Sequence, residues 1–298
     1  MEVAHERIAT DLTVLVPTLG RPVLEQCLEA LCRGTVLPSE ILVVHQGNDE
    51  RTRRLCEQMN RQLPLCRYLP FPDQRGVARA RNRGLERCRT PFVAMIDDDC
   101  VADDDWLEVI AELLRERPDV VITGQVRGET AGPIPSLVTA DQSRIYDAVQ
   151  QRRDVLYTGC MGCATSLVHR VGWFEESAAV RPAAEDNEWA YRVLRAGVAI
   201  HYEPRASVTH LDWRSAAQTT GVERSYARGQ GGFYGLHLRR LDPLIARRAL
   251  RDLARDLRRA VSCATRRDRA GTGLHVLRAL EMLRGILTGV LVGSRRVR

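Results

Sequence analysis

The chain has 298 residues, of which 44% are apolar, and its formal net charge is +6. This length suits one large domain, or one domain with an appendage, and no uncharged apolar stretch is long enough to span a bilayer. The first ten residues lack the apolar core of a signal peptide, so we expect a cytoplasmic protein whose nine cysteines are reduced thiols.

Strands and helices are predicted to alternate over the first 126 residues. Short apolar runs of the kind found in buried strands occur at residues 12–18, 40–45, 66–71, 91–96 and 119–126. Segments with helical spacing separate them, at residues 22–34, 50–61, 76–88 and 103–115. This alternation predicts an α/β fold with a mostly parallel, Rossmann-like sheet covered by helices on both faces.

The pattern is looser in the second half of the chain. A helix is predicted at residues 185–197, followed by two short strands at 198–204 and 206–210. Helices are predicted again from about residue 219, interrupted by a Gly-aromatic loop at 226–235 that would act as a lid or a linker.

Basic charge is concentrated in this last part. The chain contains no lysine, so every basic residue of the Lys and Arg type is arginine. Residues 214–298 hold 19 arginines against 6 acidic residues, whereas the rest of the chain is net acidic. The asymmetry indicates an anionic partner, either lipid headgroups or nucleic acid. Since no Phe, Tyr or Trp follows Gly235 to stack on bases, we do not expect a nucleic-acid partner.

Two aspartate triplets lie close together, Asp97–Asp99 and Asp103–Asp105. The second opens a predicted helix, where Asp103 would cap and the others would fill the first turn. The first ends a predicted strand. In an extended segment Asp97 and Asp99 would share a face, and two converging carboxylates favour a divalent cation. The alternative is a solvated acidic turn.

Five motifs occur in an order that resembles the inverting GT-A glycosyltransferases of family 2, over about residues 11–213. They are "VLVPTLGR", "GVARARNRGLERCRTPFVAMIDDD", "GCMGCATSLVHRVGWFEE", "EDNEWAYRVLRAG" and "ASVTH". The resemblance implies a catalytic domain at residues 1–213, with a nucleotide-binding half at about 11–126 and an acceptor-binding half at about 127–213. Residues 214–298 would be a basic helical extension.

The resemblance also assigns a metal and a catalytic base. Asp97 and Asp99 would hold Mn²⁺ or Mg²⁺ against a nucleotide diphosphate, and His210 would complete the metal shell. Asp186 would take the proton from the acceptor hydroxyl, with Glu185 as the neighbouring alternative.

Further residues would bind the nucleotide. They are Pro17, Thr18, Arg21, Gln46, Arg75, Arg81, Asp97 and Asp98. The chain departs from the family pattern after the second strand, where the family places an acidic residue that reads the nucleobase. This chain has His45 and Gln46 there, so UDP, dTDP and GDP all stay open as the donor nucleotide.

We therefore expect a metal-dependent inverting glycosyltransferase that moves a sugar from a nucleotide-diphosphate sugar to a hydroxyl of a glycan, a lipid-linked acceptor or a small molecule. The alternatives are a nucleotide-sugar-binding protein without turnover and a sugar nucleotidyltransferase. The amphipathic C-terminal helices would dock on the protein's own body, on a second copy, or on the inner face of an anionic membrane. Cys160 and Cys163 have C-x-x-C spacing but no second ligand pair for zinc, so buried thiols are expected.

Overall fold

The computed structural model of the chain describes residues 8–72, 75–129, 138–150, 155–181, 183–211 and 216–292. The chain divides into two compact units. The first consists of Met1–Val149, Val155–Trp173 and Ala190–Trp213, and the second of Gln150–Asp154, Phe174–Trp189 and Arg214–Arg298. The domain boundary predicted at residues 213 and 214 lies outside the described residues.

Nine strands of the described residues form one sheet. They are β1 (Ile8–Thr18), β2 (Leu37–His45), β3 (Cys66–Pro70), β4 (Phe92–Ile96), β5 (Cys100–Ala102), β6 (Val121–Gly128), β7 (Arg144–Tyr146), β8 (Cys160–Ala164) and β9 (Ile200–His210). The helices of the same residues are α1 (Leu24–Arg33), α2 (Glu50–Gln62), α3 (Val77–Leu85), α4 (Trp106–Glu116), α5 (Thr165–Val171), α6 (Glu185–Arg195), α7 (Ala216–Leu238), α8 (Pro243–Thr265) and α9 (Arg269–Val292).

One side of the sheet is parallel, with strand order β3–β2–β1–β4. Its central side chains are aliphatic and fully buried, as expected when helices cover both faces of a parallel sheet. Helix α3 lies directly against β1, because Gly84 leaves room for Leu15. A Cβ at Gly84 would lie 2.0 Å from Leu15 Cδ1. This half of the sheet confirms the predicted α/β fold.

Beyond β4 the sheet is mixed. Strand β8 pairs antiparallel with β4 and β6, and β9 pairs parallel with β6 but antiparallel with β5 and β7. The two short strands predicted at 198–204 and 206–210 are one strand, β9, whose register shifts opposite Gly124 and Gln125. A Cβ at Gly124 would lie 1.7 Å from the Ala206 carbonyl oxygen, so the irregular strand requires glycine there.

The helix after the second aspartate triplet begins later than predicted. Asp105 occupies the N-cap of α4, and within the described residues its side chain makes no capping hydrogen bond. Asp103 instead accepts a hydrogen bond from Arg127. The prediction that Asp103 caps the helix is therefore wrong, because residues 100–102 continue the sheet as β5 and the helix starts only after them.

Both cysteines of the C-x-x-C motif are packed in the protein interior. The indole Nε1 of Trp106 donates to Cys160 Sγ over 3.3 Å, and Cys163 has no exposed surface. Burial raises the pKa of each thiol to about 12, so both stay protonated at neutral pH. The prediction of buried thiols is confirmed.

The second unit contains a close helix crossing between α7 and α9. A Cβ at Gly231 would lie 2.1 Å from the Met282 carbonyl oxygen, and one at Gly235 would lie 2.2 Å from that of Ile286. The predicted Gly-aromatic loop at 226–235 is therefore wrong. Its residues are helical, and its glycines permit backbone contact between helices. No helix among the described residues is long and apolar enough to cross a membrane.

Candidate functional site

The carboxyl ends of β1 and β4 bring the first predicted loop and the aspartate triplet together. The Thr18 hydroxyl donates to Asp98, and the Nη1 of Arg21 contacts the carboxylates of both Asp98 and Asp99. The side chains of Asp98 and Asp99 are only 2% and 4% exposed. A buried carboxylate needs a compensating charge, and Arg21 provides one to both. This pairing explains how the triplet tolerates its own repulsion.

The triplet lies in a tight turn. The Cys100 N–H donates to the Asp97 carbonyl over 3.0 Å, which closes a four-residue turn. The prediction that Asp97 and Asp99 share a face of an extended segment is therefore wrong, since successive side chains do not alternate in a turn. The alternative of a solvated turn also fails for Asp98, because its side chain is almost completely buried. Burial raises the pKa of Asp98 above its usual value despite Arg21 and Thr18.

Asp97 has its own cationic partner. The Nη2 of Arg81, on α3, lies 2.9 Å from Asp97 Oδ1, and the Arg81 side chain is only 3% exposed. Arg81, which the resemblance assigns to nucleotide binding, is thus a buried arginine beside the triplet.

Sequence reasoning missed two residues next to Asp97. The Tyr157 hydroxyl donates to Asp97 Oδ2 over 3.4 Å, and burial raises the pKa of this phenol well above its ordinary value. The backbone of Gly159 packs against the same carboxylate, because a Cβ added there would lie 2.7 Å from Asp97 Oδ2. Both precede the C-x-x-C motif in "YTGCMGC". Gly159 is the first residue of the quoted motif "GCMGCATSLVHRVGWFEE", and Tyr157 lies two residues before it, so their place in the sequence was the available signal.

His210 lies beside the triplet, as the resemblance predicted. It pairs with Cys100 across β9 and β5, and its Nε2 lies 3.7 Å from Asp99 Oδ1. Its Nδ1 is buried and has no hydrogen-bond partner among the described residues. Such a nitrogen is available to a partner that the protein itself does not provide.

The donor chemistry around His210 suits a divalent cation. Carboxylate oxygens with one imidazole are a set that Mn²⁺ accepts readily, and Mg²⁺ favours the oxygens. Among the described residues, however, no three Asp, Glu, His or Cys side chains are grouped closely enough to hold an ion. Arg21 and Arg81 contact these carboxylates instead. The residue types therefore suit a divalent cation, whereas their arrangement in this structure pairs the carboxylates with arginine.

The remaining predicted nucleotide contacts lie at the same edge of the sheet. Pro17 pairs with Val44 on β2. Gln46 is buried, and its side-chain oxygen accepts the Gly76 N–H over 2.8 Å. This bond ties the end of β2 to the start of α3. Arg75, directly before Gly76, is exposed.

His45 and Asp49 form a unit after β2. His45 Nε2 lies 2.9 Å from Asp49 Oδ2, and His45 Nδ1 lies 3.2 Å from the Tyr68 hydroxyl. Asp49 also caps α2 by accepting the N–H of Thr52. Burial opposes the shift, but the Thr52 hydrogen bonds and His45 hold the pKa of Asp49 below its usual value. Asp49 therefore stabilises the start of α2 and the segment that follows β2.

Asp186 and Glu185 belong to the second unit, at the start of α6. Asp186 is partly buried and its Oδ1 accepts the Asn187 N–H over 2.7 Å. Glu185 is buried and accepts the Ala184 N–H over 3.2 Å. Both carboxylates lie where free backbone N–H groups favour negative charge.

A chain of hydrogen bonds runs from the start of α6 to α8. The Asn187 amide donates to Gln230, Gln230 donates to the Tyr234 hydroxyl over 2.9 Å, and that hydroxyl donates to Asp252. Arg255 contacts the far side of Asp252 at 3.0 Å. All of these residues lie in the second unit.

Comparison with known proteins decides the family. The sequence profile described as "Glycosyl transferase family 2" matches residues 13–172, more than half of the chain. The chain belongs to glycosyl transferase family 2. The matched residues include the parallel half of the sheet, the aspartate triplet and the C-x-x-C strand, so the predicted family resemblance is confirmed.

Curated relatives carry glycosyltransferase names. A pre-mycofactocin glycosyltransferase of Mycobacterium tuberculosis is 28% identical over 150 residues, which cover 48% of this chain and 31% of the relative. Chondroitin synthase of Escherichia coli is 23% identical over 265 residues, which cover 72% of this chain and 38% of that protein. The chain therefore spans about a third of the length of these relatives.

Solved structures show the same fold. A Pyrobaculum calidifontis mannosyltransferase, in complex with GDP-Man and Mn²⁺, covers 95% of this chain and 87% of its own with a TM-score of 0.61 and 13% identity. S. aureus TarS 1-349, in complex with UDP-GlcNAc, covers 74% of this chain and 66% of its own with a TM-score of 0.58 and 16% identity. These likenesses confirm the GT-A fold.

Proposed function

We propose that the protein is a metal-dependent, inverting glycosyltransferase that moves a sugar from a nucleotide-diphosphate sugar to a hydroxyl acceptor. The observation that carries the proposal is the aspartate triplet that follows β4, in which Asp98 and Asp99 are buried, together with its contacts to Arg21 and Arg81. In open α/β sheets, ligands bind beyond the carboxyl ends of the strands. The family and the structural likenesses support this reading of the site.

The donor side of the proposal assigns a diphosphate to this edge of the sheet. Arg21 and Arg81 supply positive charge, and an arginine fork matches the geometry of phosphate oxygens. Arg75 adds an exposed cation nearby, while Pro17, Thr18, Gln46 and Asp98 would shape the nucleoside pocket. Two proteins of this fold have structures with nucleotide sugars, UDP-GlcNAc and GDP-Man, which supports this class of donor.

Asp97, Asp99 and His210 would hold Mn²⁺ or Mg²⁺. When bound, the metal would neutralise the charge that develops on the departing diphosphate. The mannosyltransferase of the same fold has a structure with Mn²⁺. In this chain the support is the imidazole Nε2 of His210, which lies 3.7 Å from Asp99 Oδ1.

Asp186 would take the proton of the acceptor hydroxyl. Inversion at the anomeric carbon needs one carboxylate to accept this proton as the hydroxyl attacks from the face opposite the leaving group. Asp186 is partly buried and fixed by the Asn187 N–H, so its orientation is set before the acceptor arrives. Glu185 is the alternative base, but it is more deeply buried.

A thermal-shift screen tests the donor and the metal together. The protein is melted with UDP, GDP and dTDP, each with and without Mn²⁺, because a ligand that binds only the folded state raises Tm. We expect one nucleotide to raise Tm strongly, and only with metal. Asp99→Asn and His210→Ala should abolish the metal-dependent part of that rise. The matched control is Asp103→Asn, an acidic neighbour that pairs with Arg127 outside the triplet.

A transfer assay with the nucleotide identified in this way then tests the reaction. Formation of a glycosylated acceptor with inverted anomeric configuration supports the proposal. A retained configuration contradicts the inverting part of it. Metal-dependent nucleotide binding without transfer to glycan, lipid-linked or small-molecule hydroxyls would favour the binding protein, and formation of a nucleotide sugar from a sugar phosphate would favour the nucleotidyltransferase.

A further inference from the structure

Helix α9 is apolar on two opposite faces. Its inner face contains Gly285 and Gly289, which meet the backbone of α7 so closely that added Cβ atoms would lie 2.0 Å from Arg228 O and 2.3 Å from Gly232 O. Its outer face is a stripe of exposed aliphatic side chains at helical spacing. The stripe consists of Val276, Leu280, Leu283, Leu287, Val290 and Leu291. Exposed aliphatic surface of this extent marks an interaction site.

Helix α8 has a shorter stripe of the same kind. Leu250, Leu257 and Val261 recur at positions that share one helical face, and they are 69%, 54% and 64% exposed. Arg247 and Arg258 lie beside them and are exposed as well. Helix α9 begins with the exposed Arg269 and carries the exposed Arg284 next to its stripe. Each apolar stripe is therefore accompanied by arginine.

The acidic residues within α8 and α9 do not neutralise this surface, and the junction between the two helices adds one exposed acidic residue, Asp268. Asp252, Asp256 and Glu281 are buried, and an arginine contacts each of them. Other arginines of α8, α9 and their junction are exposed, among them Arg258, Arg259, Arg266, Arg267 and Arg269. What these helices present to a partner is aliphatic surface and positive charge.

We propose that α8 and α9 bind the surface of an anionic lipid bilayer, with the aliphatic stripes in the headgroup region and the arginines on the lipid phosphates. Basic amphipathic helices bind in this way. The helices lie on the bilayer and do not span it, because Arg278, Glu281 and Arg284 interrupt the apolar run of α9. The proposal stands on these helices alone and does not depend on the transfer reaction.

Other occupants match this surface less well. Two copies joined through the same face would bring arginines against arginines, which is unfavourable. Nucleic acid would need aromatic side chains for stacking, and the sequence after Gly235 contains no Phe, Tyr or Trp.

Vesicle co-sedimentation of the full chain tests the proposal. We expect binding to phosphatidylcholine vesicles that contain about 30 mol% phosphatidylglycerol, and at least about tenfold weaker binding to pure phosphatidylcholine, because each arginine near an anionic surface contributes about fivefold in affinity. Raising the salt from about 0.1 M to about 1 M should weaken binding strongly, since it shortens the screening length from about 10 Å to about 3 Å.

Two variants test whether vesicle binding depends on the aliphatic stripe of α9 or on nonspecific adsorption through any exposed aliphatic side chain. The double variant Leu283→Gln/Leu287→Gln changes side chains that are 50% and 59% exposed, and should lower the affinity for anionic vesicles by at least about tenfold. The control Ile145→Gln changes a side chain of β7 that is 49% exposed, and should bind like the wild type. Melting curves verify that both variants fold. The pair Arg247→Gln/Arg258→Gln provides an independent test of the charge.

Three results would overturn the proposal. One is the absence of binding to anionic vesicles at low salt. Another is binding that the stripe and arginine variants leave unchanged. The third is a dimer in sedimentation velocity that Leu283→Gln/Leu287→Gln dissociates, without any vesicle binding by the wild type, which would assign the stripe to a second copy.

Discussion

The guanidinium of Arg81 lies 2.9 Å from the carboxylate of Asp97, and the arginine side chain is almost completely buried. Burying the arginine costs desolvation free energy, and removing it would leave the Asp97 carboxylate without its cation. The pair joins α3 to the end of β4, so it contributes to the fold as well as to the proposed donor site. The remaining carboxylates of the triplet depend in the same way on Arg21.

Arg81→Gln should therefore destabilise the protein. The change removes the cation and leaves Asp97 with the Tyr157 hydroxyl and partial access to water. We expect the free energy of unfolding to fall by about 1–3 kcal/mol, the usual cost of leaving a buried polar group without its partner. Chemical denaturation monitored by circular dichroism measures it.

An exposed arginine that forms ion pairs with two glutamates provides the control for that change. Arg53 contacts Glu50 and Glu57 on α2, with all three side chains about half exposed, and exposed pairs contribute little. Arg53→Gln should leave the unfolding curve where it is. An equal loss of unfolding free energy in the two variants would show that the buried Arg81 pair stabilises the protein no more than an exposed pair does.

Asp186→Asn should reduce kcat while leaving donor binding intact. The variant keeps the size and the hydrogen-bonding capacity of the side chain but cannot accept a proton, so we expect kcat to fall by about a hundredfold to ten-thousandfold. The nucleotide-dependent rise in Tm should not change, which separates loss of the base from loss of the site.

Glu185→Gln decides between the two neighbouring carboxylates. Glu185 accepts the Ala184 N–H within the buried start of α6, so its change should lower stability more than turnover. If Glu185→Gln costs more in kcat than Asp186→Asn does, the roles of the two residues are reversed.

The sequence predicted well what periodicity and chain order determine. The strands ending at Thr18, His45 and Ile96 were all recognised from apolar runs, and parallel topology then places Thr18 and Asp97 at one edge of the sheet. The family motifs added Arg81 and His210, which periodicity could not assign. Both lie beside the triplet in the folded chain.

The failures have a common physical cause, which is that tertiary packing determines local structure. The turn at Asp97 is closed by the Cys100 N–H, and nothing in the local sequence distinguishes it from an extended segment. The glycines near Gly231 read as a loop because their close contact with α9 is far away in sequence. The grouping of Phe174–Trp189 with the C-terminal helices is likewise a long-range property.

Tyr234→Phe should lower turnover although Tyr234 is distant in sequence from the proposed base. Its hydroxyl links Gln230 to Asp252, and Gln230 in turn holds Asn187 beside Asp186. Removing the hydroxyl should cost about 1 kcal/mol of stability and lower kcat by about tenfold, because small displacements of a catalytic group slow the chemical step. KM for the donor should stay unchanged.

Tyr202→Phe is the matched control. The Tyr202 hydroxyl donates to the Ala140 carbonyl in the first unit and has no link to the start of α6 among the described contacts. Stability should fall by a similar amount with kcat intact. Parallel losses of kcat in both tyrosine variants would show that the hydrogen-bond chain has no positioning role.

The ion pair between Asp11 and Arg115 should make a small, acid-sensitive contribution to stability. Arg115 donates two hydrogen bonds to Asp11, at 2.7 and 2.8 Å. These hydrogen bonds are the main cause that holds the pKa of Asp11 below its usual value. A carboxylate whose pKa is lower in the folded state than in the unfolded state stabilises the protein only while it is ionised.

The stabilisation should therefore be complete above the unfolded pKa, near 4, and should disappear as the pH falls through the lower, folded pKa. Asp11→Asn is expected to cost about 0.5 kcal/mol at neutral pH, because the pair is partly exposed. Its unfolding curve should merge with that of the wild type in acid. Denaturation at a series of pH values measures the difference, and a constant gap down to the most acidic pH at which both proteins fold would contradict the assignment.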